Sequence, residues 1–150
     1  IGLSMVREMG AVMTKLLLAN QTDLDNARAG LLPPERVRKV EVSALVDTGA
    51  STLALPADVC DRLGLVEFEQ TRARLADGRT VDVAWVGSLR LEILGRQMIC
   101  DALRLPAGTT PLVGQIPLER LDLVVEPKTH DLRANPAHPD GPLLDLLAAS

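Results

Sequence analysis

Ala44-Leu45-Val46-Asp47-Thr48-Gly49-Ala50-Ser51-Thr52 is the stretch on which the reading of this chain turns. The residues before it, Val37–Val46, alternate in part: Val40, Val42, Ala44 and Val46 recur at period two, as in a strand entering a core. The strand runs directly into a carboxylate, a hydroxyl and a glycine. A carboxylate where a core strand ends is costly to desolvate unless it is hydrogen-bonded or paired. Thr48 and Ser51 carry hydroxyls that can partner it, and Gly49 lets the backbone bend and bring its amide close. An Asp-Thr-Gly triplet alone also fits an ordinary turn at a strand end, so its surroundings decide its meaning.

Upstream, Val12–Ala19 is a short apolar strand ending at Asn20. Gln21–Arg36 holds Asp, Asn, Gly and the Pro33-Pro34 pair, and reads as a long loop. Asn20-Gln21-Thr22 matches a glycosylation sequon, a pattern with meaning only in a secreted eukaryotic protein. Downstream, Leu53–Leu55 reads as a strand and Pro56–Leu63 as a helix stopped by Gly64. Thr71–Ala76 and Arg79–Trp85 flank Asp77-Gly78, the dipeptide that tight hairpins prefer. Leu89–Leu94 and Gln97–Leu103 form a further strand pair across Gly95-Arg96. Thr110–Val113 leads to Gly114, and Pro117–Leu121 reads as a second short helix. Leu123–Glu126 and Asp131–Arg133 are the last strands expected. Asn135–Pro142, with three prolines and a glycine, should be irregular, and Leu143–Ala149 should dock as a short helix. Many short strands between turn signals predict a mainly β fold, a closed barrel or sandwich with one or two short helices.

The 150 residues make one domain, with a core over about residues 12–134 and a Pro-rich tail over 135–150. A chain of this size buries roughly 70% of its unfolded surface and needs no staples. One Trp, one Phe and no Tyr imply an aliphatic core and argue against stacking platforms for single-stranded nucleic acid. Sixteen basic and twenty acidic residues give a net charge of -4, and the densest basic cluster, Arg36, Arg38 and Lys39, sits beside Glu35 and Glu41. No cationic face for phosphate backbones is visible, so nucleic acid is not an expected partner. Cys60 and Cys100 have no second Cys or His at metal-ligand spacing; they read as reduced thiols, with a disulfide as the alternative. No run reaches the roughly 18 to 20 apolar residues of a membrane helix and no signal sequence is visible, so the expected location is cytoplasmic, with no membrane partner. Met5 and Met9 are candidate natural starts. Phosphate-binding glycine loops are absent, and neither a cofactor nor a metal is expected.

Taken together, these features resemble the single-domain, retroviral-type (retropepsin-like) aspartic proteases, most closely their bacterial members. Four features carry the resemblance over roughly residues 40–126. Leu45–Ser51 matches the hydrophobic-hydrophobic-Asp-Thr-Gly-Ala-Ser pattern after a core strand. Leu75–Trp85 corresponds to a flap hairpin with its tip at Asp77-Gly78. Leu91-Glu92-Ile93-Leu94-Gly95 matches the strand pair around a glycine turn. Leu112-Val113-Gly114 matches the segment that closes the loop beneath the catalytic strand, with a short helix after it. The chain departs from the viral pattern at Gln115, where those enzymes have arginine, and in a flap with Gly78 as its only glycine. The loop over 21–36 and the Pro-rich tail have no counterpart in the minimal viral enzyme.

The resemblance implies an aspartic endopeptidase acting on extended peptides, with Asp47 catalytic. Thr48 would hydrogen-bond across a dimer axis, Gly49 would offer its backbone to carboxylate and substrate, and Ala50 and Ser51 would complete the support. Ala76, Asp77, Gly78 and Arg79 would form the flap, and Leu112, Val113 and Gly114 would close the loop beneath the site. Such hydrolysis needs two carboxylates sharing one proton. The sequence has one Asp-Thr-Gly; Asp77-Gly78-Arg79 and Asp140-Gly141-Pro142 end no buried strand. The second carboxylate must therefore come from a second copy, which implies a symmetric homodimer. The alternative is a dimeric peptide-binding or scaffolding module of the same fold with weak or no catalysis.

Other candidates are blander. No serine sits in a glycine-flanked elbow, His130 and His138 read as surface or turn residues, and Asp58, Asp61 and Glu67 as a solvated face. Trp85 reads as core, with a place in the cleft as the alternative. The tail could clasp a partner subunit or block the cleft.

Overall fold

The computed structural model describes residues 11–146. Its strands are β1 (Met13–Asn20), β2 (Lys39–Val46), β3 (Ala54–Pro56), β4 (Val66–Arg74), β5 (Thr80–Ile93), β6 (Arg96–Leu105), β7 (Leu112–Val113), β8 (Leu123–Glu126) and β9 (Asp131–Ala134). Three short α-helices, α1 (Gln21–Arg28), α2 (Ala57–Leu63) and α3 (Gln115–Arg120), and a 3-10 turn at Pro34–Arg36 join them.

Six strands close on themselves in the order β1-β2-β7-β3-β6-β5, because β5 also pairs with β1. Of the two architectures expected, the molecule takes the barrel. β4 extends beyond the ring as the outer strand of a hairpin with β5, and β8 and β9 form a separate two-stranded sheet. The inward face is aliphatic throughout: Leu16, Leu53, Leu55, Leu89, Leu91, Ile93 and Val113 have no exposed surface. Each such side chain contributes about 1.5–3 kcal/mol by leaving water. The chain's aromatics stay outside this core: Phe68 is exposed and Trp85 half-buried.

Helix α1 occupies the segment expected to be a loop, because Asn20 and Asp23 act in three dimensions. The Asn20 side-chain oxygen accepts the Asp23 amide at 2.9 Å, capping the helix, while its Nδ2 donates to Leu63 O at 2.8 Å. The Asp23 carboxylate then accepts three bonds from Arg38, from its amide (3.0 Å), Nε (2.8 Å) and Nη2 (3.0 Å). Arg38 holds the Asp23 carboxyl below the usual carboxylate range. With its side chain buried as a cap, Asn20 is no site for a glycan.

Other differences are smaller. β5 is one continuous strand where two were expected; the register slips between Val86 and Leu89, across Gly87-Ser88, without breaking the strand. Helix α2 ends at Gly64, as expected, with φ +64°, and a Cβ there would lie 1.8 Å from Arg38 Nη1. Both cysteines are free. The tail is irregular over residues 135–146, and Leu143–Leu146 are not helical; residues 147–149 and the candidate starts Met5 and Met9 lie outside the described residues.

Candidate active site

β2 and β3 do not pair with each other. Each pairs with the two-residue strand β7, β2 in parallel and β3 in antiparallel, so residues 47–53 must arch over β7 from one side to the other. That arch is the Asp-Thr-Gly-Ala-Ser loop. Its first anchor is the Asp47 amide, which donates to Val113 O at 2.9 Å; the Leu45 amide donates to Pro111 O at 2.8 Å on the same side. Its second anchor is the start of α3. The first amides of a helix have no partner within it, and here Gln115 and Ile116 donate theirs to Ala50 O (2.8 Å) and Ser51 O (3.0 Å).

Gly114 stands where these anchors converge. A Cβ at this position would lie 2.6 Å from Ala50 O, 2.6 Å from Thr52 N and 2.7 Å from Thr52 O, all backbone atoms that cannot swing away. The requirement is for close approach rather than for a left-handed backbone, since φ is -97°. Leu112 and Val113, expected beneath the site, are the two residues of β7 itself.

The Asp47 side chain is half-buried, with Oδ1 accepting the Gly49 amide at 3.0 Å. A Cβ on residue 49 would sit 3.3 Å from that oxygen, so glycine brings its amide to the carboxylate without crowding it. Thr48 and Ser51 are exposed, and no hydrogen bond joins either hydroxyl to the Asp47 carboxylate, contrary to the simplest expectation. The backbone amide does this work instead. Gln115, which replaces the arginine of the viral pattern, spends its side chain on Glu119 at 2.9 Å and supports the loop through its amide alone.

Beside the loop opens a cleft of about 440 Å³. Gly49, Ala50 and Ser51 of the arch and Leu112 of β7 border it, while Asp47 and Thr48 are not among its lining residues. Trp85, Leu103, Leu105 and Ala54 form an apolar floor; Trp85 pairs with Leu103, and Ala54 with Leu103 and Leu112. Trp85 thus belongs to the cleft rather than to the barrel core. Thr71–Leu75 supply the wall on the hairpin side. Ala76, Asp77, Gly78 and Arg79 do form the hairpin tip but do not line this cleft. The tip is closed locally: Gly78 donates to Leu75 O at 3.0 Å and Leu75 to Arg79 O at 2.7 Å. Asp77 accepts the Arg79 amide (3.0 Å) and Nε (2.7 Å), which hold its carboxyl below the ordinary range.

Leu103, Leu105 and the β4 residues were missed from sequence because their shared face depends on the β5–β6 register; the alternation of Leu103 and Leu105 is the signal that a pairing would have used. No residue of the tail lines the cleft among the described residues. Asn135, His138 and Leu143 instead bond the Asp122 carboxylate, at 3.0, 2.5 and 3.2 Å, and Arg96 donates to the carbonyls of Leu121, Asp122 and His138. His138, taken for a surface residue, is part of this clasp. Asp61 pairs with Arg104 at 2.8 Å. Among the described residues, no group of three or more His, Cys, Asp or Glu side chains could hold a metal, and no helix is long and apolar enough to cross a membrane.

A six-stranded closed barrel carrying an Asp-Thr-Gly arch over a two-residue strand, with a hairpin beside the cleft, defines an aspartic-protease fold of the retropepsin-like type. The model of the aspartyl protease family matches residues 34–127, and the chain belongs to that family. Among solved structures it is similar to EIAV protease complexed with the inhibitor HBY-793, at 17% identity and a TM-score of 0.50, over 73% of this chain and 86% of that one. No curated protein matches the chain.

Proposed function

We propose that the chain is an aspartic endopeptidase in which Asp47 from each of two identical subunits forms the catalytic pair. The observation that carries this reading is the double anchoring of the Asp47–Ser51 arch, by β7 and by the amides of α3, at the edge of an apolar cleft. Such anchoring fits a carboxylate that has to hold its position while a reaction takes place. One carboxylate of the pair removes a proton from a bound water, which attacks the peptide carbonyl. The other, protonated, donates to the carbonyl oxygen and so stabilises the charge that develops there. Breakdown of the tetrahedral adduct cleaves the C–N bond, with the proton passing to the leaving amine. Two carboxylates about 3 Å apart resist double ionisation, so the pair holds the single proton this cycle needs.

The peptide would lie extended in the cleft, as an added strand. Closure of the hairpin tip, Ala76–Arg79, would then shield it from water. A second reading, a dimeric peptide-binding module with feeble catalysis, draws on Gln115, whose side chain is committed to Glu119 rather than to the loop.

The test is digestion of a diverse peptide library between about pH 4 and 7, the range in which carboxylate pairs operate, comparing the wild-type chain with Asp47→Asn. Cleavage in the first, lowered at least about 10³-fold in the second, supports the peptidase. Cleavage that survives the substitution assigns the chemistry elsewhere. Peptide binding without cleavage by either chain selects the binding module.

A further inference from the structure

The arch is only as well placed as helix α3, which gives it the amides of Gln115 and Ile116 and nothing more, since the Gln115 side chain goes to Glu119. Leu118 and Leu121, both buried, seat one face of α3 in the core. Apolar burial is not directional, so that seat alone does not fix how far the helix slides or turns on it. Directional bonds reach α3 at its other end. Arg96 is only 7% exposed and has no carboxylate within ion-pair distance among the described residues. Its Nη1 donates to Leu121 O at 3.1 Å and Asp122 O at 2.9 Å, and its Nη2 to His138 O. One buried guanidinium thus ties the end of α3 to the tail. The tail is fastened to the same turn a second time. The Asp122 carboxylate accepts Asn135 Nδ2 at 3.0 Å, His138 Nδ1 at 2.5 Å and the Leu143 amide at 3.2 Å, and Asp122 O accepts the Asn135 amide at 3.0 Å. Asn135, then His138 and the Leu143 amide, hold the Asp122 carboxyl below its ordinary range, which keeps it an acceptor in mild acid.

We infer that Arg96, Asp122 and His138 are positioning residues for the Asp47 arch, acting through α3 from the end opposite to the one that touches the arch. The helix has six residues and is about 9 Å long. A displacement at Leu121 is therefore carried to Gln115 and Ile116 over less than two turns. The arch has one anchor that depends on the clasp, Gln115 and Ile116 on Ala50 O and Ser51 O, and one that does not, Asp47 on Val113 O. The consequence for cleavage rests on the peptidase reading, whereas the placement of the arch stands without it.

Amide hydrogen exchange is measured on the full chain as wild type, His138→Ala and Asp122→Asn. Asparagine tolerates the left-handed backbone of residue 122, φ +56°, so the second variant alters the side chain without straining the turn. Both variants should speed exchange at Gln115 and Ile116 roughly fivefold, the scale of one lost hydrogen bond, and leave Asp47 and Leu45 within about twofold. Asp23→Asn, which loosens the molecule at α1, should show no such split. His138→Asn, whose Nδ2 can take the place of Nδ1, should restore the protection. In the peptidase, kcat should fall with the exchange in His138→Ala and Asp122→Asn, KM should hold, and His138→Asn should recover kcat. Equal acceleration at both anchors, no acceleration at Gln115 and Ile116, or no rescue by His138→Asn overturns the inference. So does a split exchange with kcat unmoved in a chain that cleaves. A split exchange in a chain that cleaves nothing supports the clasp and refutes the peptidase.

Discussion

The two sides of the cleft are held by different means. On one side the arch over 47–53 is fixed by main-chain bonds from β7 and α3, and Gly114 is packed against its backbone. On the other side β4 has no buried residue along its nine positions, and the hairpin tip is closed only by bonds within residues 75–79. One wall is bonded to the barrel on both flanks, and the other hangs on β5 alone through its pairing with β4. The difference teaches where sequence identity is constrained: a contact with immovable backbone admits one residue type, whereas a projecting hairpin needs only a turn.

The largest effect should come from the fixed wall. Gly114→Ala forces a Cβ against three backbone atoms and should cost about 3 kcal/mol, lowering Tm by roughly 6–12 °C for a chain this long. A Tm unchanged by this substitution would mean that the arch is not clamped as described.

Asp23→Asn sharpens the comparison by loosening the fixed scaffold at Asp23 in α1 and Arg38 just before β2, away from the cleft residues. Losing charge-assisted bonds from Arg38 should cost about 1.5–3 kcal/mol at neutral pH. Because Arg38 lowers the folded-state pKa of Asp23, the stabilisation is present above the unfolded value near pH 4 and is lost as pH falls through the folded one. Denaturant midpoints of the two chains should therefore differ at pH 7 and converge toward pH 2. A gap that stays constant with pH would exclude the ion pair as its source.

Gly78→Ala tests the projecting wall. The site is open, but φ is +89°, so the added methyl should cost about 1 kcal/mol within the turn. Here kcat/KM should change more than Tm, the inverse of the Asp23 variant. Smallest and most local, amide exchange should be fast at Ala76 and Asp77, with the bonded Gly78 and Arg79 amides partly protected, and slow at Asp47 and Gln115. Similar protection on both walls would erase the distinction.

How much of this was legible in the sequence follows the same division. The arch at residues 47–51 and its seat at 112–114 could be placed because close backbone approach requires glycine at 49 and 114. Gly64 ends α2 as expected because it obeys a local rule, whereas Pro56, expected in the first turn, ends β3 and caps a helix that starts at Ala57. Helix α1 was not legible as a helix: Asn20, Asp23 and Asn26 are turn formers by composition, and what makes Asn20 a cap is a bond to Asp23 together with its burial against Leu63. Trp85, Leu103 and Leu105 escaped because membership of one face is a property of strand register rather than of any single strand. The tail clasp escaped because Asp122, Asn135, His138 and Arg96 meet only once the barrel has closed.

The central claim is that two copies of Asp47 make one site, and mixing tests it most directly. Wild-type chain at fixed amount is co-refolded with an equal amount of Asp47→Asn chain, and peptide cleavage is followed. If each site needs an aspartate from both subunits, random pairing leaves about half the activity of wild type refolded alone. Activity that the inactive chain leaves undiminished would show that a single Asp47 suffices, and the two-subunit account would be wrong.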